Sequence, residues 1–99
     1  MHMDTPIACT LTPGRYRDRT ADLAALARDG LVTREPTDGG QRLTFARSDE
    51  MERRLEAAIV AEAACCPFLT FELERRPEHL VLDIRGPEDA EPVIAELFV

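Results

Sequence analysis

Glu62, Cys65 and Cys66 stand within one six-residue stretch that ends at Pro67, and a third cysteine, Cys9, lies near the start of the chain. A thiolate is a soft, polarisable donor, and Hg(II), Cu(I) and As(III) accept two or three such donors. Adjacent cysteines chelate poorly on their own, because ordinary rotamers splay them. Cys9 is therefore expected to join the pair, making Cys9, Cys65 and Cys66 the metal ligands. The paired spacings of a zinc finger do not occur. On a helix at 100° per residue, Glu62 falls in the apolar stripe set by Met51, Leu55, Ala58 and Ile59, between the directions of the two sulfurs. Burial there raises a carboxyl pKa and keeps a proton available near neutral pH, so Glu62 is the candidate catalytic acid. Thiolates at a helix C-terminus face the negative end of its dipole, which ligation has to overcome.

A plainer reading applies to each of these residues. Free cysteines are often core residues that behave as small hydrophobes. A helix-edge glutamate commonly pairs with arginine. Phe68 and Phe71 suit a core better than a recognition surface. His79, alone in a polar turn, is expected to be solvated. The acidic run Glu88-Asp89-Ala90-Glu91 suits a helix N-terminus, where negative charge is stabilising.

Most other chemistries lack residues. Ser48 is the only serine and stands where a helix cap belongs, so a serine triad with His79 is excluded. There is no glycine-rich phosphate loop or dinucleotide fingerprint. The net charge is −7, and all twelve basic residues are arginine with no lysine. That balance, without a basic face of interleaved aromatics, argues against nucleic acid as a partner. No run approaches the ~20 apolar residues that span a bilayer, and no leader opens the chain, so neither membrane nor export is expected. An odd count of cysteines is not a disulfide framework, and reduced thiols in the cytoplasm are the expectation.

The elements that must position these residues can be read from spacing. The 99 residues make one domain over 4–99, with 1–3 reading as a cloning scar or start that removes His2 from the chemistry. Ile7 to Leu11 reads as a strand. Thr12-Pro13 opens a helix that Gly30 closes. Leu31–Glu35 and Arg42–Ala46 form a hairpin around a turn at 36–40. Ser48 or Asp49 caps a second helix, and Pro67 forces Cys66 out of it. Leu69–Leu73 and Leu80–Ile84 alternate as strands, and Val93, Ile94, Leu97 and Phe98 share one face of a final helix. The order is β-α-β-β-α-β-β-α, an α+β fold with a two-layer arrangement of antiparallel sheet and helices on one face. Its two helix–hairpin units, about 37 residues apart, read as a duplication in which Leu31 and Leu43 match Leu69 and Val81.

The stretch Ala61-Glu62-Ala63-Ala64-Cys65-Cys66-Pro67-Phe68-Leu69-Thr70-Phe71 resembles a segment of small bacterial proteins associated with MerR-type, metal-responsive regulators. A looser similarity links the chain to the catalytic core of alkylmercury lyases. There a cysteine followed by a short apolar stretch precedes a Cys-Cys pair, as Cys9-Thr10-Leu11 precedes Cys65-Cys66 here. The lyases carry an aspartate three residues after the first cysteine, where this chain has Thr12. Their N-terminal domain has no counterpart in it. The resemblance implies binding or transfer of Hg(II), an organomercurial, As(III) or Cu(I) in metal resistance, with no resident cofactor required. In its enzyme version Cys9 and one of the pair hold mercury while a carboxylic acid, Glu62 if it shares the cavity, protonates the departing carbon. The rival is a non-catalytic dimerisation or interaction module with core cysteines. Unprotected strand edges and the apolar Phe98-Val99 end imply a homodimer on either reading.

Overall fold

The computed structural model describes the backbone of residues 13–98 and the side chains of residues 21–98. The expected strand at Ile7–Leu11, Cys9 and the Thr12 cap lie outside the described residues. Helix α1 spans Pro13–Gly30 and leads into strands β1 (Leu31–Thr37) and β2 (Gly40–Ala46). Helix α2 (Asp49–Cys65) precedes β3 (Thr70–Arg75) and β4 (His79–Arg85). A single 3-10 turn at Glu88–Ala90 and the short helix α3 (Glu91–Ala95) follow. The four strands form one antiparallel sheet in the order β1-β2-β4-β3. The α+β architecture expected from the alternating periods is the one observed.

Strand alternation decides the two layers. Leu43 and Phe45 of β2 and Leu80, Leu82 and Ile84 of β4 point one way and are fully buried. They form one apolar cluster with Leu23 and Leu26 of α1, Met51 and Leu55 of α2, and Ile94, Leu97 and Phe98 at the C-terminal end. Phe45 and Phe98 meet edge to face, with centroids 5.7 Å apart. The opposite face carries Glu35, Arg42, Thr44, Glu72, Glu74 and Asp83, where Arg42 and Asp83 pair at 2.9 Å.

Several boundaries differ from the sequence reading. Pro36 and Thr37 continue β1, so the turn shrinks to Asp38-Gly39 with Gly39 at φ +84°. A proline lacks a ladder donor, and Pro36 is tolerated because β1 is an edge strand. At Gly40, a Cβ would sit 1.7 Å from the Ile84 carbonyl oxygen, so only glycine permits this approach of β2 to β4. The last helix ends at Ala95, and Phe98 turns the chain away at φ 60°.

The two hairpins share one register. Thr33↔Thr44, Arg34↔Leu43, Glu35↔Arg42 and Pro36↔Gln41 in the first correspond to Glu72↔Asp83, Leu73↔Leu82, Glu74↔Val81 and Arg75↔Leu80 in the second. The true offset therefore matches Leu43 to Leu82, correcting the match to Val81 by one residue. That slip matters, because it moves a side chain to the other face of the sheet. The central strands pair about the same point, and two equivalent hydrogen bonds close the ends. Arg47 N–H donates to the Glu78 carbonyl, and Gly86 N–H to that of Gly39, both at 3.1 Å.

Candidate functional site

The repetition breaks where the candidate residues lie. Helix α1 runs directly from Gly30 into β1, whereas Cys66-Pro67-Phe68-Leu69 separates α2 from β3. The start of α2 is fixed by Ser48, whose Oγ accepts from the Met51 N–H at 3.0 Å. Its end is fixed by Pro67, which disfavours helical geometry at the residue before it. Cys66 adopts φ −123° and ψ 74° and its N–H donates to the Glu62 carbonyl at 2.7 Å. Leu69 N–H then donates to the Cys66 carbonyl at 3.0 Å, turning the chain into β3.

This corner carries three chemically capable side chains inward. Glu62 is 3 % exposed, Cys65 4 % and Cys66 0 %. The helical stripe thus buries the glutamate as its spacing implied, together with Met51, Leu55 and Cys65. Both cysteines belong to the main apolar cluster, with Leu69. Phe68 and Phe71 are half-buried against that cluster, and His79 is exposed, in keeping with the plainer reading of each.

The two sulfurs differ in state. Cys65 is a free thiol, whereas Cys66 is disulfide-bonded, which corrects the expectation of reduced thiols throughout. Cys65 is not its partner. Neighbouring Cα atoms lie about 3.8 Å apart, below the ~4.4 Å lower end of disulfide geometry. Cys9 lies outside the described residues, and among the described residues no three acidic, histidine or cysteine side chains converge on a metal position.

Glu62 also borders a groove of about 360 Å3 between α1 and α2, with Asp22, Leu23, Leu26, Arg54 and Ala58 among its walls. Neither Cys65 nor Cys66 lines it. A proton donor for a carbon–mercury bond must reach the cavity that holds the metal. Here Glu62 is among the residues that line the groove, whereas the two cysteines belong to the apolar cluster.

Charged side chains fasten the elements around this corner. Arg75 of β3 donates to Glu52 at 2.6 Å and to Glu56, tying β3 to α2. The hydrogen bond from Arg75, with the nearby charge of Arg47, holds the Glu52 carboxyl below its usual range. Arg34 reaches across the sheet to donate to the Leu97 and Phe98 carbonyls at 2.7 Å each, and to Gln41 Oε1 at 2.5 Å. Burial lowers the pKa of this guanidinium, which stays charged at neutral pH. Sequence reading passed over Arg34. The available signal was its place in the alternation, on the core-facing row where the second hairpin has Leu73.

Among the described residues, no helix is long and apolar enough to cross a membrane. The chain matches no protein-family model, no curated protein and no solved structure.

Proposed function

We propose that the chain binds a soft metal or metalloid ion through the sulfurs of Cys65 and Cys66, with Cys9 as a further ligand, and hands it on in metal resistance. The observation that supports this reading most is the juxtaposition of two buried cysteines where α2 ends and the connection that departs from the repeated unit begins. Hg(II), As(III) and Cu(I) suit such donors, and a buried apolar surround shields a thiolate–metal bond from water and competing ligands. The ion or an organomercurial is cargo here, and no resident cofactor is needed. The resemblance to proteins associated with metal-responsive regulators and to alkylmercury lyases points the same way. The protein acts in the cytoplasm, without nucleic acid or membrane as a partner.

Binding is favoured over cleavage of carbon–mercury bonds, because Glu62 borders a groove that the sulfurs do not line. Packing supports a second reading, in which Cys65 and Cys66 serve as core residues of a non-catalytic dimerisation or interaction module. The chain is a homodimer on both readings, with the sheet edges β1 and β3 to be covered. Native mass spectrometry of the reduced chain offered Hg(II), Cu(I), As(III) and Zn(II) together separates them. Selective retention of a soft ion supports the site, and no retention of any supports the packing reading.

A further inference from the structure

We infer that the exposed face of α2 joins two copies of this chain as an antiparallel helix pair centred on Val60. This inference rests on the homodimer of the proposed function and names its interface. Glu62 is the only charged residue between Glu56 and Glu72, and it is buried. The second half of α2 and the connection after it therefore present no charge to solvent, in a chain where charged residues make up 31 %. Val60, at 71 %, is the most exposed large hydrophobic side chain among the described residues. A helix that is apolar on every side is normally covered on every side.

The occupant follows from how the exposed row is spaced and charged. Arg53, Ala57, Val60, Ala64 and Pro67 are all exposed and follow at steps of four, three, four and three, the repeat along which two helices pack. Reversing α2 about Val60 returns the same row, as a two-fold axis requires. Val60 meets the partner's Val60, Ala57 the partner's Ala64, and Arg53 the partner's Pro67. The charged half of each helix, residues 49–56, then lies against the uncharged half of the other, so no like charges oppose. Arg53 sets the direction. Arg54 on the same helix and Arg47 and Arg75 against it are ion-paired, whereas Arg53 makes no ion pair among the described residues. The last turn of α2 carries no basic residue, and Pro67 has no N–H to return to the Ala63 carbonyl. Antiparallel packing brings the free guanidinium of each copy to that negative end of the other. A parallel pair would set Arg53 beside Arg53 and leave both ends unanswered. Cys65 and Cys66 are buried on the core side of α2, so the pairing leaves them untouched.

A single helix pair buries less than the roughly 1,200 Å2 of a standard interface, so association in the micromolar range is expected. The test is sedimentation equilibrium of the full chain across that range, with reductant present. The parent should be a dimer that dissociates on dilution. Val60→Glu sets two carboxylates against each other at the axis and should be monomeric, yet folded by circular dichroism because the position is exposed. Ala64→Lys suits the C-terminal end of a helix but puts a second cation against the partner's Arg53, and it should be monomeric too. Arg53→Glu should weaken association roughly tenfold. Arg28→Glu, the same charge change on exposed α1 surface, should leave it unaltered. Equal weakening by Arg53→Glu and Arg28→Glu overturns the role of Arg53. A dimer that withstands both Val60→Glu and Ala64→Lys overturns this interface and leaves a homodimer formed through another face. A parent that stays monomeric throughout overturns the homodimer itself, and this interface with it.

Discussion

Leu43 and Leu82 pair across β2 and β4 at the centre of the sheet, and each occupies in its own hairpin the place that the other occupies in the next. Both are fully buried. The point about which the two halves repeat therefore lies in the most deeply packed part of the molecule. Truncating Leu43 or Leu82 to alanine should each cost about 2–5 kcal/mol. Because both side chains border one space, the double variant should depart from additivity by ~0.5 kcal/mol or more. Urea unfolding of the four proteins in the cycle measures this. Strict additivity would deny the shared core position.

Arg34 takes the place of Leu73 and spends its guanidinium on the C-terminal carbonyls. Arg34→Leu would make the first hairpin resemble the second but would release Leu97 and Phe98. The expected cost is modest, about 1 kcal/mol, because the bonds are only partly buried. Hydrogen exchange should accelerate at the amides of Glu96 and Leu97, while β4 keeps its protection. Unchanged exchange at those amides would show that Arg34 does not hold the end.

Acid should loosen the joint between α2 and β3. The folded Glu52 carboxyl has its pKa lowered, first by the hydrogen bond from Arg75. Its contribution is fully present above the unfolded value of ~4.3 and is lost as pH falls through the lower folded value. The difference in Tm between the parent and Glu52→Gln should thus be largest near neutrality and shrink below about pH 4. Added salt should shrink it too, since Glu52 is only half-buried and its Arg75 partner is exposed. A difference that grows on acidification would contradict the assignment.

Much of this framework was legible because local rules set it. Ser48 and Pro67 bracket α2, and helical spacing alone places Glu62 inward. What escaped was set by distant partners. Pro36 reads as a strand end unless β1 is known to be an edge. The pairing of β2 with β4 fixes the offset to Leu82, and a pattern of alternating leucines fits the neighbouring register almost equally well. The pairing of Arg34 with Leu97 and Phe98 spans the chain. The oxidation of Cys66 leaves no trace in spacing, and parity argued for free thiols.

Glu62→Gln distinguishes binding from cleavage. The amide keeps the shape of the side chain and cannot deliver a carboxylic proton. Mercury retention by the reduced chain should be unchanged. Release of hydrocarbon from an alkylmercury thiolate should be undetectable in both the parent and the variant. Turnover by the parent that Glu62→Gln abolishes would restore the lyase reading.

The most direct measurement of the central claim is X-ray absorption at the mercury edge on the reduced full chain loaded with one equivalent of Hg(II). Sulfur neighbours should fill the first shell, and Cys65→Ser and Cys66→Ser should each remove one of them. A variant that loses stability through its buried hydroxyl, at ~1–3 kcal/mol, is recognised by its melting curve. A first shell of oxygen or nitrogen, or one that neither substitution alters in the folded protein, would contradict the assignment of Cys65 and Cys66 as ligands.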